Sequence, residues 1–278
     1  MRDIEKTFSK LRTQDEGGLI AYVTAGYPEP ALTPQIVDTL VEGGADIMEL
    51  GIPFSDPIAD GPTIQTAATK ALKAGTTPKG VLKIIEEIKE KNKTPLVIMT
   101  YYNPIFRMGT KNFFESAKAA GVDGVIVPDL PIEEAAEYKK IAEIHGVDTI
   151  FLAAPSTPTE RLRKIVENTS GFLYLVSVYG VTGARDNIQD YTIKLIRKTL
   201  QITKQKIPLA VGFGISKPDH VKTIIQNGAE AAIVGSEFIK IIEKKYNNND
   251  EEEVEEMLET LKDYASQLKK ATIKKPHT

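Results

Sequence analysis

The chain contains no cysteine. Disulfides, thiolate nucleophiles and cysteine-based metal sites are therefore excluded, and the absence fits the cytosol. Histidine is scarce. His145 falls at a helix end, His220 within a helix and His277 in the tail, a spread that supplies no metal-binding triad. No stretch approaches the ~18 apolar residues of a membrane span. Residues 1–10 alternate charge with single apolar side chains and lack the apolar core of a signal peptide. A cytoplasmic protein is expected. Neither sign of charge prevails: 35 Lys plus Arg face 38 Asp plus Glu, for a net charge of −3. That balance speaks against a nucleic-acid surface but leaves room for a phosphate held by backbone N–H groups. No Gly-x-Gly-x-x-Gly follows the first apolar run, which weakens a dinucleotide-binding reading. No lysine ends a run on its apolar side, which argues against a Schiff-base aldolase.

What is present is a rhythm. Compact, largely apolar runs recur at 19–24, 46–50, 95–101, 124–128, 149–153, 173–177, 208–212 and 231–235. Continuous runs of this length suit strands buried on both faces of a parallel sheet. Between them lie helix-period segments at 33–42, 79–90, 112–120, 132–144, 160–168, 192–203 and 217–227. Gly43-Gly44, Gly121, Gly146 and Gly228 each follow such a segment, where a helix ends best on a left-handed residue. Eight strand–helix units in 278 residues, with no break in composition, predict a (β/α)8 TIM barrel as one domain over 1–278. Extra N-terminal and C-terminal helices are expected to flank it. The latter is an amphipathic 254–270 after an acidic loop at 247–253, packed outside the barrel and fraying from Ile273.

Barrel active sites stand at the C-terminal ends of the strands. There the second run ends in Glu49, which alternation turns away from its apolar neighbours Met48 and Leu50. Glu49 is either paired with a buried Lys or Arg, or a general acid whose pKa burial raises. Asp60 follows in a loop stiffened by Pro53, Pro57 and Pro62; it is either a helix cap or a second functional carboxylate. Asp56 reads as turn chemistry. Two glycine elements, 212–216 after the seventh run and Gly235-Ser236 after the eighth, form a candidate phosphate cup at the strand ends where such barrels hold phosphate. Tyr179 to Arg185, with Gly180 and Gly183, reads as a hinged loop over the mouth, and Tyr174 lies within the sixth run. The residues together point to carboxylate acid/base catalysis on a small phosphorylated ligand, with no metal or organic cofactor.

The stretch 48–65, Met-Glu-Leu-Gly-Ile-Pro-Phe-Ser-Asp-Pro-Ile-Ala-Asp-Gly-Pro-Thr-Ile-Gln, resembles the signature of tryptophan synthase alpha subunits. The likeness continues through 24–28, 99–104, 127–131, 180–183 and 212–216, and covers roughly residues 2 to 245. It implies a lyase that splits indole-3-glycerol phosphate into indole and glyceraldehyde 3-phosphate by retro-aldol cleavage. By this resemblance Glu49 protonates C3 of the indole ring, Asp60 steadies the cation at N1–H, and Tyr174 supports the two carboxylates. Phosphate binding carries onto Gly183, Phe213, Gly214, Gly235 and Ser236. The indole and glycerol pocket carries onto Tyr22, Ile64, Thr100, Tyr102, Val127 and Thr182, with Phe213 beside the ring. The loops at 53–62 and 178–188 resemble mobile lids that meet a beta subunit, to which indole passes. Tyr22 stands where the family commonly carries Phe, Tyr179 is bulky for a residue beside the lid, and the ending after Tyr246 is longer than typical. A free-standing lyase that needs no beta subunit, and a silent ligand sensor on the same scaffold, are the competing readings.

Overall fold

The computed structural model describes residues 1–177, 188–246 and 250–274. Among them nine parallel strands form one sheet: β1 (Gly18–Thr24), β2 (Ile47–Gly51), β3 (Leu96–Met99), β4 (Gly124–Ile126), β5 (Asp148–Ile150), β6 (Leu152–Ala153), β7 (Leu173–Val176), β8 (Leu209–Gly212) and β9 (Ala231–Val234). Their order is β5-β4-β3-β2-β1-β9-β8-β7-β6. The two ends of that order adjoin in the chain, so the sheet curls into a barrel. The expected fifth run is thus divided. Its first half pairs with β4 and its second with β7, and Phe151, between them, turns into the outer layer. The barrel closes through this change of partner.

The helices are α1 (Asp3–Thr13), α2 (Thr33–Glu42), α3 (Pro62–Lys73), α4 (Pro78–Lys91), α5 (Tyr102–Met108), α6 (Thr110–Ala119), α7 (Ala136–Ile144), α8 (Thr159–Asn168), α9 (Asp190–Thr203), α10 (Pro218–Gln226), α11 (Ser236–Lys245) and α12 (Glu251–Lys270). Most of them lay an apolar stripe on the barrel. In α4, Val81, Leu82, Ile85 and Ile88 are buried at helical spacing, and the Thr77 side chain caps the first turn by accepting from the Gly80 N–H. The short α5 carries no long stripe, which is why periodicity in the sequence passes over it.

Strand alternation separates two cores. Leu19, Ala21, Met48, Leu50, Ile98, Val125 and Leu175 face the helices, while Ile20, Tyr22, Ile47, Val97, Met99, Ile126, Tyr174, Ala210 and Ile233 fill the barrel. Ile4 and Phe8 of α1 join the inner set, with Phe8 meeting Phe172 at 6.1 Å between ring centroids, so this helix plugs the bottom of the barrel. Arg2 pairs there with Asp148 at 2.5 Å. At the far end of the chain, α12 buries Met257, Leu261, Ala265 and Leu268 against α2, α10 and α11. The tail is tied rather than frayed at Ile273: that residue bridges Glu16, and Gly17 N–H donates to the Thr272 carbonyl at 2.9 Å. No helix among the described residues is long and apolar enough to cross a membrane.

Candidate active site

Glu49 sits on β2 between Tyr22 of β1 and Val97 of β3, all on the inner face. It is 1% exposed, and its Oε2 has no hydrogen-bond partner. No Lys or Arg among the described residues pairs with it, so the structural ion pair is set aside. Burial first, and the charge of Asp60 second, push its pKa up to about 8.

Asp60 lies in the loop after β2. It does not cap α3: the N-cap is Gly61, and no side chain caps that helix. The Asp60 carboxylate instead accepts a hydrogen bond from the Tyr101 hydroxyl at 3.0 Å, and that hydroxyl in turn accepts from the Ala59 N–H at 3.0 Å. Burial raises the Asp60 pKa to about 6, and the Tyr101 bond holds it from rising further. Between those values Glu49 is the neutral acid and Asp60 the anion, two carboxyls assigned different roles by their surroundings.

Three tyrosines frame the pair. Tyr22, Tyr101 and Tyr174 are all buried, and their pKa values are raised, so each hydroxyl keeps its proton. Glycine makes the room. A Cβ at Gly51 would stand 2.2 Å from the Tyr22 hydroxyl, and one at Gly212 would stand 2.3 Å from that of Tyr174.

The raised Glu49 pKa has a consequence for stability. The folded chain keeps this proton up to about pH 8, whereas the ordinary value is 4.5. Across that window the native state binds the extra proton, so this contribution to stability is lost as pH rises. Glu49→Gln cannot ionise. Its stability relative to wild type is expected to grow by on the order of 4 kcal/mol between about pH 5 and about pH 8. Urea unfolding at the two pH values measures this, and a difference that stays flat would mean that Glu49 is already ionised in the folded chain.

The glycine elements stand at the ends of β8 and β9. Phe213 and Gly214 both have positive φ, 64° and 76°, a conformation that is uncommon for Phe. The Phe213 ring packs on Tyr174 at 5.8 Å, and its carbonyl accepts a hydrogen bond from the Ser177 hydroxyl. Ser236 opens α11 behind Gly235, with no side-chain cap on the first N–H groups of that helix. A helix start of this kind presents orphan donors and the positive end of its dipole.

Not all expected positions share this face. Met99 and Ile126 take the inner register, whereas Val127 belongs to the outer cluster and Tyr102 packs against that cluster from the half-buried start of α5. Thr100 is buried one residue past Met99, with its hydroxyl toward the Tyr101 carbonyl at 3.5 Å. The hydroxyl that reaches the Asp60 carboxylate is that of Tyr101, between the expected Thr100 and Tyr102. Counting by twos from Val97 through Met99 would have found it. Val127 also lines a cavity of about 380 Å³ at the ends of β4, β6 and β7, with Leu152, Arg161 and Val176. Ile64 packs against both cores. Tyr179, Thr182, Gly183 and most of the loop at 178–188 lie outside the described residues, as does His277.

A closed parallel barrel with a desolvated acid, a second carboxylate and a glycine loop around its strand ends is an enzyme scaffold of the acid/base class. The model of a known family, described as tryptophan synthase alpha chain, matches residues 8–272. The chain is 48% identical to the tryptophan synthase alpha chain of Methanosarcina barkeri over 270 residues, 97% of this chain and 98% of that one. It superposes on the structure of the Pyrococcus furiosus tryptophan synthase α2β2 complex with a TM-score of 0.83 at 44% identity, covering 91% of this chain and 98% of that one. Tryptophan synthase from Mycobacterium tuberculosis gives a TM-score of 0.87 at 34% identity, covering 99% of each chain. The chain belongs to the tryptophan synthase alpha-chain family, lyases of tryptophan synthesis whose alpha reaction is the retro-aldol cleavage of indole-3-glycerol phosphate.

Proposed function

We propose that Glu49 and Asp60 carry out that cleavage in this chain. Neutral Glu49 gives its proton to C3 of the indole ring, and the carboxylate of Asp60 answers the positive charge that develops at N1–H. The bond between C3 and the glycerol carbon then breaks, its electrons return to the ring, and the adjacent hydroxyl becomes the aldehyde of glyceraldehyde 3-phosphate. The proton released from that hydroxyl returns to Glu49, which closes the cycle. The observation that carries this reading is a buried, unpartnered carboxyl beside a second carboxylate steadied by Tyr101.

The phosphate is assigned to the backbone around Phe213 and Gly214, to Gly183, and to Gly235 and Ser236 at the start of α11. The indole is assigned to the inner face near Tyr22, Ile64, Met99 and Ile126, and Thr182 to closure of the lid. We assign no cofactor and no metal to the reaction, and we place the protein in the cytoplasm.

We infer that the partner is a tryptophan synthase beta subunit, as in the α2β2 complex of the P. furiosus relative. The loop at 53–62 exposes Ile58 at 78%, and Phe106 of α5 is exposed at 67%. Phe54 stacks on Tyr101 at 5.2 Å, which ties this surface to the residue that holds Asp60. Indole release measured on the purified chain, alone and with beta subunit, tests the reading. Slow turnover alone and an increase of about 10- to 100-fold with the partner are expected. Full turnover alone would favour a free-standing lyase, and substrate binding without turnover in either state would favour a sensor.

A further inference from the structure

We propose that Tyr264, on the C-terminal helix, is a positioning residue for the phosphate cup, holding its loop and its helix start in register from behind. The proposal rests on the assignment of phosphate to residues 213–216 and 235–236.

Phe213 holds a φ of 64°, followed by Gly214 at 76°. A bulky residue in that region persists only where its surroundings over-determine it. The restraints are visible. Ser177 donates its hydroxyl proton to the Phe213 carbonyl at one end of the loop. At the other end both backbone groups of Ser216 are held: its N–H donates to His220 Nδ1 at 3.4 Å, and its carbonyl accepts from the Tyr264 hydroxyl. Between the two ends, Ile215 is 2% exposed and fixes the loop to the core.

Tyr264 also reaches the other half of the cup. Its ring meets Phe238 edge-on, 5.6 Å between centroids at 77°. Phe238 is fully buried in the first turn of α11, two residues after Ser236. One side chain of α12 therefore touches both the carbonyl that ends the glycine loop and the ring beneath the helix start. The cup is made from two segments that share no strand, and their separation decides whether both sets of N–H groups can meet one phosphate. A side chain that bridges them from outside the barrel lowers the ordering cost of binding. This gives the helix after Tyr246 a task beyond covering α2.

Tyr264→Phe keeps the ring on Phe238 and removes only the hydroxyl. The matched control is Ser266→Ala, which removes another hydroxyl of the same helix, the one that donates to the Gly43 carbonyl at 3.2 Å, away from the cup. Calorimetric titration of the full chain with glycerol 3-phosphate is read beside kcat and KM for indole-3-glycerol phosphate in the presence of beta subunit. In Tyr264→Phe we expect the glycerol 3-phosphate Kd and the KM each to rise about fivefold, the worth of one hydrogen bond, with kcat within twofold of wild type. Ser266→Ala is expected to leave both Kd and KM within twofold. The proposal is overturned if Tyr264→Phe leaves Kd and KM within twofold, if kcat falls while KM holds, or if Ser266→Ala weakens binding equally. If the wild-type chain does not bind glycerol 3-phosphate, the phosphate assignment fails first and this proposal falls with it. Binding that is equal in wild type and Tyr264→Phe removes this proposal alone.

Discussion

Glu49→Gln is expected to lower kcat for indole release by about 10²- to 10⁴-fold with little change in KM, the loss that follows removal of a positioned general acid. The carboxyl is 1% exposed and one of its oxygens has no protein partner, so its proton is not committed to a structural hydrogen bond. Gln fills the same volume but cannot release a proton to C3 of the ring. The contacts proposed for the substrate phosphate and the indole lie on other residues, which is why the effect should fall on kcat. A steady-state assay with beta subunit present reads the split. Activity within threefold of wild type would remove Glu49 from the chemistry. The same substitution is expected to gain stability relative to wild type as pH rises, so lost activity joined to that gain separates a chemical role from misfolding.

Much of this was legible in the sequence because α/β barrels write their strands plainly. Parallel strands are buried on both faces, so each reads as a short apolar run, and a carboxylate inside such a run stands out, as Glu49 does. Alternation then placed Glu49 opposite in sense to Met48 and Leu50, and the inner cluster has Ile47 and Tyr22 beside it. On β3 the apolar run gives no chemical marker for its face. A shift of one residue reverses every side chain, and Tyr101 was lost to Thr100 and Tyr102 in that way. Val127 was expected in the indole pocket, whereas the inner face at the end of β4 carries Ile126. The division of the fifth run at Phe151 left no trace in composition, because a change of pairing partner needs no special residue. Nor was the link from Tyr264 to Ser216 readable, since it joins positions 48 residues apart through packing of a helix outside the barrel.

Asp60→Asn is the second large loss, expected at about 10²- to 10³-fold in kcat/KM, comparable to removing a charge-stabilising group from a desolvated site. Its pH dependence carries the sharper test. On the proposed mechanism, kcat/KM of the free wild-type chain needs Asp60 ionised and Glu49 protonated, so it is expected to rise as pH passes about 6 and to fall as pH passes about 8. Removing the Asp60 charge removes one of the two causes that raise the Glu49 pKa, leaving burial alone. The alkaline limb of Asp60→Asn should therefore move to lower pH. Tyr101→Phe acts with the opposite sign on the other limb. Losing the donor at 3.0 Å lets the Asp60 pKa climb, so the acid limb should move up while the alkaline limb stays. The substrate phosphate also titrates near pH ~6, but that ionisation is common to every variant, so the displacement between profiles belongs to the protein. An Asp60→Asn profile with its alkaline limb unmoved would mean that the two carboxyls do not sense each other, and the division of labour between a neutral acid and an adjacent anion would have no electrostatic basis.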